Sequence, residues 1–358
     1  MRVVVAMSGG VDSSVAALKI KEAGHEAIGV TIKMWPEGDC LRRGNKLCCS
    51  LESIQYARSV AEDIGISFHV VDLSEEFSRE VTDYFVREYA AGRTPNPCIY
   101  CNSRIKFGVL FTEAAKLGAE RIATGHYARI IKREDRYFLS EAQDKKKDQT
   151  YFLYDISRER LPFIDLPLGD HTKEEVRSIA SVAGFTSAER QESQDVCFIS
   201  EGSDYREFIA SKIGSKVFEP GDILNVDGNI IGQHKGIASY TVGQRRGIGF
   251  AARDPVYVMK INADENTITV GGREHVMERK IRVGRLNWLI EDYAGKPAEF
   301  DVKIRYGSER SRAVFTPDGN GEAELEFNEP QFAPTPGQAA VFYDGEVVAG
   351  GGIIIGDG

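Results

Sequence analysis

The 358-residue sequence is poor in the features that mark several large protein classes. It has no low-complexity tract, no repeat of fixed period and no apolar run long enough to cross a bilayer, which excludes solenoids and membrane-spanning proteins. The apolar stretch at the start, Met1–Ala6, is too short for a signal peptide, and no cleavage site follows it. We therefore expect a cytoplasmic protein that does not associate with membranes.

Positive charge is also scarce, because 45 Lys and Arg residues face 54 Asp and Glu residues and the net charge is −9. This balance argues against a protein that coats nucleic acid, since affinity for phosphates depends on Lys and Arg. A local basic patch on an acidic body remains compatible with it. The length predicts two or three domains.

The first half of the sequence alternates short apolar strands with helical periods, which predicts an α/β domain with a mainly parallel sheet. Ligands of such sheets bind beyond the carboxyl ends of the strands. The predicted strands are Val3–Ala6, Glu26–Lys33, Phe68–Asp72 and Arg121–Thr124, and the predicted helices are Ser13–Ala23, Leu51–Ile64, Phe77–Ala90, Arg104–Leu117 and Thr172–Gly184.

The second half is richer in short strands and turns. Asp222–Val226 and Ile230–His234 flank Asp227-Gly228-Asn229, which predicts a hairpin. From about Arg282 onwards, short strands at regular spacing predict a small β-barrel; they are Val302–Tyr306, Ala313–Phe315, Ala323–Phe327, Ala339–Tyr343, Val347–Val348 and Ile353–Ile355. We place a catalytic α/β domain at 1–204, a small mixed or β central domain at 205–279 and the C-terminal barrel at 280–358.

A glycine-rich turn joins the first strand to the first helix. Its sequence is Ala6-Met7-Ser8-Gly9-Gly10-Val11-Asp12-Ser13-Ser14. Glycines let successive N–H groups point at an anion, and serines at a helix start add hydroxyls. The turn contains no Lys, so it is not the Walker pattern. Asp12 either serves the cation that accompanies a nucleotide or caps the helix.

The six cysteines form two groups and one single residue. Cys98 and Cys101 follow two prolines in a C-x-x-C pattern that suits a redox pair, half of a zinc site or part of an iron–sulfur site. The single thiol is Cys197. Cys40, Cys48 and Cys49 match no standard zinc spacing, and we interpret them as free or transiently paired thiols, with an extra metal or redox role as the alternative.

The pattern Ser-Gly-Gly-x-Asp-Ser resembles the PP-loop of ATP pyrophosphatases. With six further motifs in the same order, nearly the whole chain resembles the bacterial tRNA-specific 2-thiouridylase family, a group of tRNA-uridine 2-sulfurtransferases. The further motifs are Gly-Arg-Thr-Pro-Asn-Pro with Cys101-Asn102, Ala123-Thr124-Gly125-His126-Tyr127, Lys147-Asp148-Gln149-Thr150-Tyr151-Phe152-Leu153, Val196-Cys197-Phe198-Ile199, Gly243-Gln244-Arg245-Arg246-Gly247 and Thr335-Pro336-Gly337-Gln338.

The resemblance implies that ATP, with Mg²⁺, adenylates the C2 oxygen of the wobble uridine in a tRNA anticodon. It implies that Cys197 carries a persulfide supplied by a cysteine desulfurase relay, and that Cys101 releases the sulfur as nucleophile or disulfide partner. Further implied residues bind ATP (Ala6, Met7, Ser8, Gly9, Gly10, Val11, Asp12, Ser13, Ile32 and Gly125), surround the target base (Asn96, Pro97 and Cys98) and contact the tRNA (His126, Lys147, Asp148, Gln149, Arg305, Tyr306 and Gln338).

One position departs from the family pattern, because Cys98 stands where an Asp is thought to assist proton transfer at the base. A second route then exists, in which Cys98, Cys101 and Cys197 hold three irons of a [4Fe–4S] cluster and the fourth iron binds sulfide. We favour the persulfide route. In a third interpretation, Cys98 is an ordinary small apolar residue that takes part in neither proton transfer nor cluster binding.

Three groups of basic residues are candidates for contacts with the tRNA backbone: Lys145-Lys146-Lys147, Arg245-Arg246, and Arg305 with Arg310 and Arg312. We expect the barrel to grip the RNA and the protein to be a monomer. Two other functions compete with thiolation. One is a PP-loop synthase that amidates a small molecule, and the other is a binding protein with a retired nucleotide site.

Overall fold

The computed structural model describes residues 1–35, 51–186, 196–199, 204–249 and 254–356. Cys40, Cys48 and Cys49, and the predictions made for them, lie outside these residues. The chain divides into two compact units. The first contains Met1–Val81, Cys98–Ser203 and Glu346–Val348, and the second contains Thr82–Pro97, Asp204–Gly345 and Ala349–Gly358.

The first unit is built on a parallel five-stranded sheet of order β3-β2-β1-β4-β7. Its strands are β1 (Arg2–Ala6), β2 (Glu26–Lys33), β3 (Ser67–Asp72), β4 (Arg121–Ala123) and β7 (Ile164–Asp165). Val3, Val4 and Val5 of the central strand are fully buried, as expected for a parallel strand covered on both faces. The predicted α/β class with a parallel sheet is confirmed.

Helices flank this sheet, and the longer ones lie at positions close to those predicted, whereas the four-residue helices Ser74–Phe77 and Pro97–Tyr100 were not predicted. They are α1 (Val11–Glu22), α2 (Leu51–Asp63), α3 (Ser74–Phe77), α5 (Pro97–Tyr100), α6 (Leu110–Lys116) and α7 (Lys173–Val182), while α4 (Asp83–Ala90) belongs to the second unit. Seven of the twelve residues of α1 are buried, including Ser13 and Ser14, so most of this helix lies in the interior.

Two predicted helices are not continuous α-helices. The helix predicted over Phe77–Ala90 has a π-helical segment at Ser78–Thr82, and the one predicted over Arg104–Leu117 begins as a π-helix at Cys101–Val109. Residue periodicity distinguishes these two helix types poorly, because both place one apolar face on the core.

An antiparallel hairpin in the first unit was not predicted. Its strands are β5 (Ala128–Arg133) and β6 (Arg136–Glu141), and a two-residue turn joins them. Glu134 has a φ of 53° in that turn. The usual hairpin signal is Gly or Asn at such a position, and the sequence has neither there.

The second unit combines helices with two β structures. Helix α4 packs on α8 (Tyr205–Ile213) through aromatic rings, with 6.3 Å between the ring centroids of Phe85 and Phe208. A four-stranded sheet of order β10-β11-β8-β9 contains β8 (Gly221–Leu224), β9 (Ile230–His234), β10 (Tyr257–Asn262) and β11 (Thr267–Gly271). The β8–β9 hairpin was predicted, and the β10–β11 hairpin was missed.

The remaining strands close into a six-stranded barrel, which confirms the predicted C-terminal β-barrel. The order is β12-β15-β14-β13-β16-β17, and β17 pairs back to β12. The strands are β12 (Met277–Trp288), β13 (Ala298–Lys303), β14 (Ser311–Pro317), β15 (Ala323–Phe332), β16 (Ala339–Asp344) and β17 (Val347–Ile355). The strand predicted at Val302–Tyr306 lies earlier, and the two strands predicted after Asp344-Gly345 are the single strand β17.

Phe300 is the centre of an aromatic cluster inside the barrel. Its ring stacks on Phe342 with 5.5 Å between centroids, and the rings of Trp288 and Phe315 lie at 6.0 and 6.2 Å. We expect Phe300→Ala to destabilise the second unit by about 3–5 kcal/mol, the usual cost of removing a buried Phe.

The two tryptophans make this prediction measurable, since Trp35 lies in the first unit and Trp288 in the second. Denaturation would be followed by fluorescence in Trp35→Phe and Trp288→Phe backgrounds. Phe300→Ala should lower the unfolding midpoint reported by Trp288 more than the midpoint reported by Trp35. Equal shifts in both would contradict a defect confined to the barrel core.

Candidate functional site

The sheet of the first unit has its topological switch point at β1. The chain passes from β1 to β2 on one side and reaches β4 on the other, so a crevice opens at the carboxyl ends of β1 and β4. The glycine loop follows β1, Ile32 lies near the end of β2, and Gly125-His126 follows β4. The structure therefore brings together the three segments that the sequence placed at this edge.

The glycine loop depends on two different properties of glycine. Gly9 has a φ of +78°, and a Cβ at this residue would lie 2.6 Å from the carbonyl oxygen of Ser53. Gly10 is the N-cap of α1 and has an extended backbone. A side chain at Gly9 would therefore clash with α2 as well as strain the turn.

Serine hydroxyls hold the loop in shape. The Ser13 and Ser14 hydroxyls both donate to the Gly10 carbonyl at 3.0 Å, and the Ser8 amide donates to the Ser13 hydroxyl at 3.1 Å. No side chain caps the start of α1 in the described part of the chain, because the N-cap residue is glycine. The first-turn amides and the positive end of the helix dipole thus form the kind of backbone site that binds anions. Asp12 is not the helix cap, which removes one of its two predicted roles.

Gly125 lies directly against the first turn of α1. A Cβ at Gly125 would be 2.7 Å from the Asp12 carbonyl carbon and 2.8 Å from the Ser13 nitrogen. These are backbone atoms that cannot move aside, so glycine is required at this position. Its predicted role in binding ATP stays a prediction, but its place beside the loop is now explained.

Two residues that the sequence reasoning missed contact Asp12. The Lys173 ammonium lies 2.7 Å from Oδ1 and 2.9 Å from Oδ2, and the Tyr127 hydroxyl donates to Oδ1 at 2.9 Å. Lys173 is 7% exposed. One signal in the sequence could have identified Lys173. It directly follows the Thr172 N-cap, a position where the helix dipole disfavours a cation.

Tyr127 and its neighbours are held by the 147–149 segment. The Tyr127 amide donates to the Gln149 side chain at 2.9 Å, and the Gln149 amide donates to the Tyr127 carbonyl at 2.8 Å. Asp148 is 3% exposed and accepts hydrogen bonds from the Ala142 amide at 3.0 Å and the Thr150 hydroxyl at 2.5 Å. Both side chains have internal partners, and their predicted contacts with tRNA stay predictions.

His126 adjoins the site with a perturbed imidazole. Its Nδ1 lies 2.7 Å from the Thr124 hydroxyl, and its ring centroid is 6.0 Å from that of Phe107. Burial, and then the positive charge of Lys106, hold the pKa of His126 well below its ordinary value of 6.5. The ring is therefore neutral at physiological pH and can take part in hydrogen bonds but carries no charge.

The first two thiols of the site differ in accessibility. Cys98 is exposed, whereas Cys101 is buried and opens the π-helix that ends at Val109. Arg160 donates to the carbonyls of Phe107 and Gly108 at 2.7 and 2.8 Å near the end of that segment. π-Helices occur often at functional sites, because they shift side chains relative to an α-helix.

Cys197 is half-buried and lies in a turn closed by a hydrogen bond from the Ile199 amide to the Val196 carbonyl. The neighbouring Phe198 is 1% exposed and fixes this turn in an aromatic cluster. Its ring centroid lies 6.2 Å from that of Trp35 and 6.0 Å from that of Phe77. Hydrophobic anchoring of the residue after the cysteine thus holds the thiol near the end of β2.

The thiols are not arranged as a metal centre. Across the described ranges, no group of three or more His, Cys, Asp or Glu residues could hold a metal ion, and no disulfide joins Cys98, Cys101 and Cys197. The iron–sulfur alternative for Cys98, Cys101 and Cys197 therefore stays a prediction.

A second feature lies in the other unit, where four distant segments line a cavity of about 420 Å³. The lining residues are Thr94, Thr241, Val242, Gly243, Gln244, Arg305, Thr335 and Gln338. The Gln338 side chain donates to the Thr94 carbonyl at 2.8 Å, and the Thr94 amide donates to the Pro336 carbonyl at 2.9 Å. These two hydrogen bonds therefore hold Thr94, at the start of the segment that leads to Asn96 and Pro97.

The predicted site residues are divided between the units. The loop residues, Ile32, Gly125, His126, the 147–149 segment and all three thiols lie in the first unit, while Asn96, Pro97, Arg305, Tyr306 and Gln338 lie in the second. Of the predicted basic groups, Arg245 and Arg246 are exposed, whereas Arg312 forms ion pairs with Glu299 and Asp301. No described helix is long and apolar enough to cross a membrane.

Three family models match the chain. They are described as a tRNA methyl transferase HUP domain over residues 1–201, a tRNA methyl transferase PRC-barrel domain over 206–272 and an aminomethyltransferase β-barrel domain over 278–354. Among similar proteins, the tRNA-specific 2-thiouridylase MnmA of Moorella thermoacetica is 46% identical over 98% of each chain. The corresponding proteins of Caldanaerobacter subterraneus and Clostridium acetobutylicum are 46% and 42% identical over 99% of this chain and 97% and 99% of their own.

The buried ring of Phe198 holds the turn that carries the Cys197 thiol. Phe198→Ala removes the ring that holds the turn and should raise the alkylation rate of Cys197 several-fold, because reactivity increases with exposure of the thiol. Iodoacetamide labelling followed by peptide mass spectrometry measures this rate for each cysteine separately. Phe163→Ala, at a Phe that is 48% exposed, is the matched control. An unchanged Cys197 rate in folded Phe198→Ala protein would contradict the anchoring role.

Proposed function

Because the chain belongs to the tRNA-specific 2-thiouridylase family, we propose that it replaces the C2 oxygen of the wobble uridine of tRNA with sulfur in an ATP-dependent reaction. The observation that supports this most directly is the glycine loop and the uncapped start of α1 at the switch point of the sheet, in the same unit as three thiols.

The first half-reaction is adenylation, with MgATP as substrate. The C2 oxygen attacks the α-phosphorus, the bond from that phosphorus to the bridging oxygen breaks, and its electron pair leaves with pyrophosphate. The loop amides and the positive end of α1 stabilise the charge that develops on the leaving group. Gly125 and the backbone of Ile32 border the same edge, where the adenosine is expected.

The second half-reaction transfers sulfur. The terminal sulfur of a persulfide on Cys197 attacks C2, and AMP leaves with the oxygen. The Cys101 thiolate then attacks the Cys197 sulfur, the electron pair of the broken S–S bond stays on the transferred sulfur, and a disulfide between the two cysteines remains for reduction by an external thiol. The burial of Cys101 protects it from other thiols until this step.

Cys98 differs from the family carboxylate as a group for proton transfer, because the ordinary pKa of a thiol is near 8.5 and that of an Asp carboxyl group is near 3.9. The cluster alternative has no support from the arrangement of the three thiols. Iron analysis of protein purified with and without oxygen separates the routes. About four irons per chain, with activity lost on chelation, would overturn the persulfide route.

For the RNA, we propose that the second unit holds the anticodon region. The cavity around Arg305 and Gln338 presents a guanidinium and an amide, which are groups that recognise phosphates and bases. We further propose the three-domain division at 1–204, 205–279 and 280–358, a cysteine desulfurase relay as sulfur donor, a cytoplasmic location and a monomeric state. A PP-loop synthase acting on a small molecule would have no use for the thiols.

The most direct test is incubation with tRNA, MgATP and a sulfur donor, followed by nucleoside mass spectrometry. If adenylation is followed by nucleophilic displacement, one AMP should form for each thiouridine. The modified uridine should gain about 16 Da, because S replaces O. The Cys101→Ser and Cys197→Ser variants should lose thiolation but still bind ATP. The Cys98→Ser variant tests whether thiolation also requires the third thiol. Thiolation by the Cys197→Ser variant would contradict the persulfide role.

Lys147 and His126 should affect tRNA binding in different ways. Lys147 carries a charge, so Lys147→Ala should weaken binding and reduce the slope of log affinity against log salt by about 0.7–0.9, the contribution of one phosphate contact. The pKa of His126 is lowered, so its imidazole is neutral, and His126→Asn should leave that slope unchanged. Fluorescence anisotropy with labelled tRNA over a salt series measures both. An unaltered slope for Lys147→Ala would rule out its phosphate contact.

A further inference from the structure

The glycine loop contains an acidic residue where a polyphosphate is expected to bind. Asp12 is the second residue of α1, in the turn whose amides face the anion site. An uncompensated carboxylate a few ångströms from a phosphate would oppose binding, since like charges repel strongly where water is partly excluded. The loop has no Lys of its own, so any compensation has to come from elsewhere in the chain.

Lys173 supplies this compensation from a position 161 residues away. Its ammonium contacts both oxygens of Asp12, at 2.7 and 2.9 Å. The Lys173 side chain is 9% exposed and that of Asp12 is 31% exposed, so water screens the pair incompletely. The Tyr127 hydroxyl fixes the same carboxylate, and the Lys173 ammonium lies 5.7 Å from the centre of the Tyr127 ring.

The position of Lys173 in its own helix indicates that the pair is more than an incidental surface contact. Lys173 is the first residue of α7, where the helix dipole disfavours a cation. The capping box of Thr172 and Glu175 fixes this turn independently of Lys173. The helix would therefore form without a lysine at this position, and the lysine serves the neighbouring loop.

We propose that Lys173 is the counter-ion of the phosphate loop, a positioning residue that acts through Asp12 and sets the preference of the site for highly charged nucleotides. With Lys173 present, the pair is neutral, and the loop amides attract the β- and γ-phosphates without opposition. Without it, Asp12 stays as a negative charge that repels the phosphates more strongly as their number increases. This inference rests on the proposed use of ATP.

The test measures the binding of AMP, ADP and ATP by calorimetry, without tRNA, to the full-length protein. Lys173→Met should weaken ATP binding by about tenfold or more and AMP binding by less than about threefold, with ADP between them, because repulsion grows with ligand charge. Lys173→Arg should keep most of the affinity. The double variant Asp12→Asn with Lys173→Met has a neutral pair again and should bind ATP more tightly than Lys173→Met alone, since the repelling charge is gone.

A merely structural role for Lys173 gives a different result, because a distorted loop would bind all three nucleotides less well and would not recover in the double variant. Either finding, in protein whose Trp35 fluorescence shows a folded first unit, would overturn the inference. Lys19→Met is the matched control, since Lys19 lies towards the other end of α1 and pairs with Glu22. If the wild type itself bound no ATP, the proposed function would fail, whereas full ATP affinity in Lys173→Met would overturn only the role of Lys173.

Discussion

The close approach of the Gly125 segment to the first turn of α1 is the constraint on which the rest of the site depends. Only glycine fits there, because a Cβ would come within 3 Å of the backbone of Asp12 and Ser13. This contact joins the end of β4 to the loop after β1. It also carries His126 and Tyr127 to the same edge, where the Tyr127 hydroxyl reaches Asp12. The crevice at the carboxyl ends of β1 and β4 is thereby bordered by the start of α1 on one side and by Gly125, His126 and Tyr127 on the other.

An acidic protein with a net charge of −9 builds its anion site with little surface charge. Backbone amides and the helix dipole attract an anion at this loop, and the largely buried Lys173 ammonium pairs with the carboxylate of Asp12. Such an arrangement limits non-specific attraction to nucleic acid, since that attraction scales with exposed Lys and Arg. The groups that attract an anion are concentrated at one edge of the sheet, where the glycine loop meets the start of α1.

The positions of Cys101 and Cys197 are set by a π-helix and by the packing of aromatic rings. Cys101 is the first residue of a π-helix, and Arg160 donates hydrogen bonds to carbonyls near the end of that helix. Cys197 is positioned by the next residue, Phe198, whose ring packs against Trp35 and Phe77. The segment that carries Cys98 and Cys101 begins in the second unit, where Gln338 and Pro336 bind Thr94. One stretch of chain thus begins in the second unit at Thr94 and carries Cys98 and Cys101 in the first unit.

Several elements carry local signals in the sequence and could be predicted from them. Apolar runs predicted the buried strands, the Gly9-Gly10 turn predicted the anion loop, and short strands at regular spacing predicted the barrel. The continuity of β17, the π-helices and the hairpin at Glu134 could not be predicted, because periodicity and turn residues carry no clear signal for them. The contacts of Lys173 and Tyr127 with Asp12 span 161 and 115 positions, and the contact of Phe198 with Phe77 spans more than 120. Such contacts depend on which strands are neighbours in the sheet, and no local pattern in the sequence specifies that order.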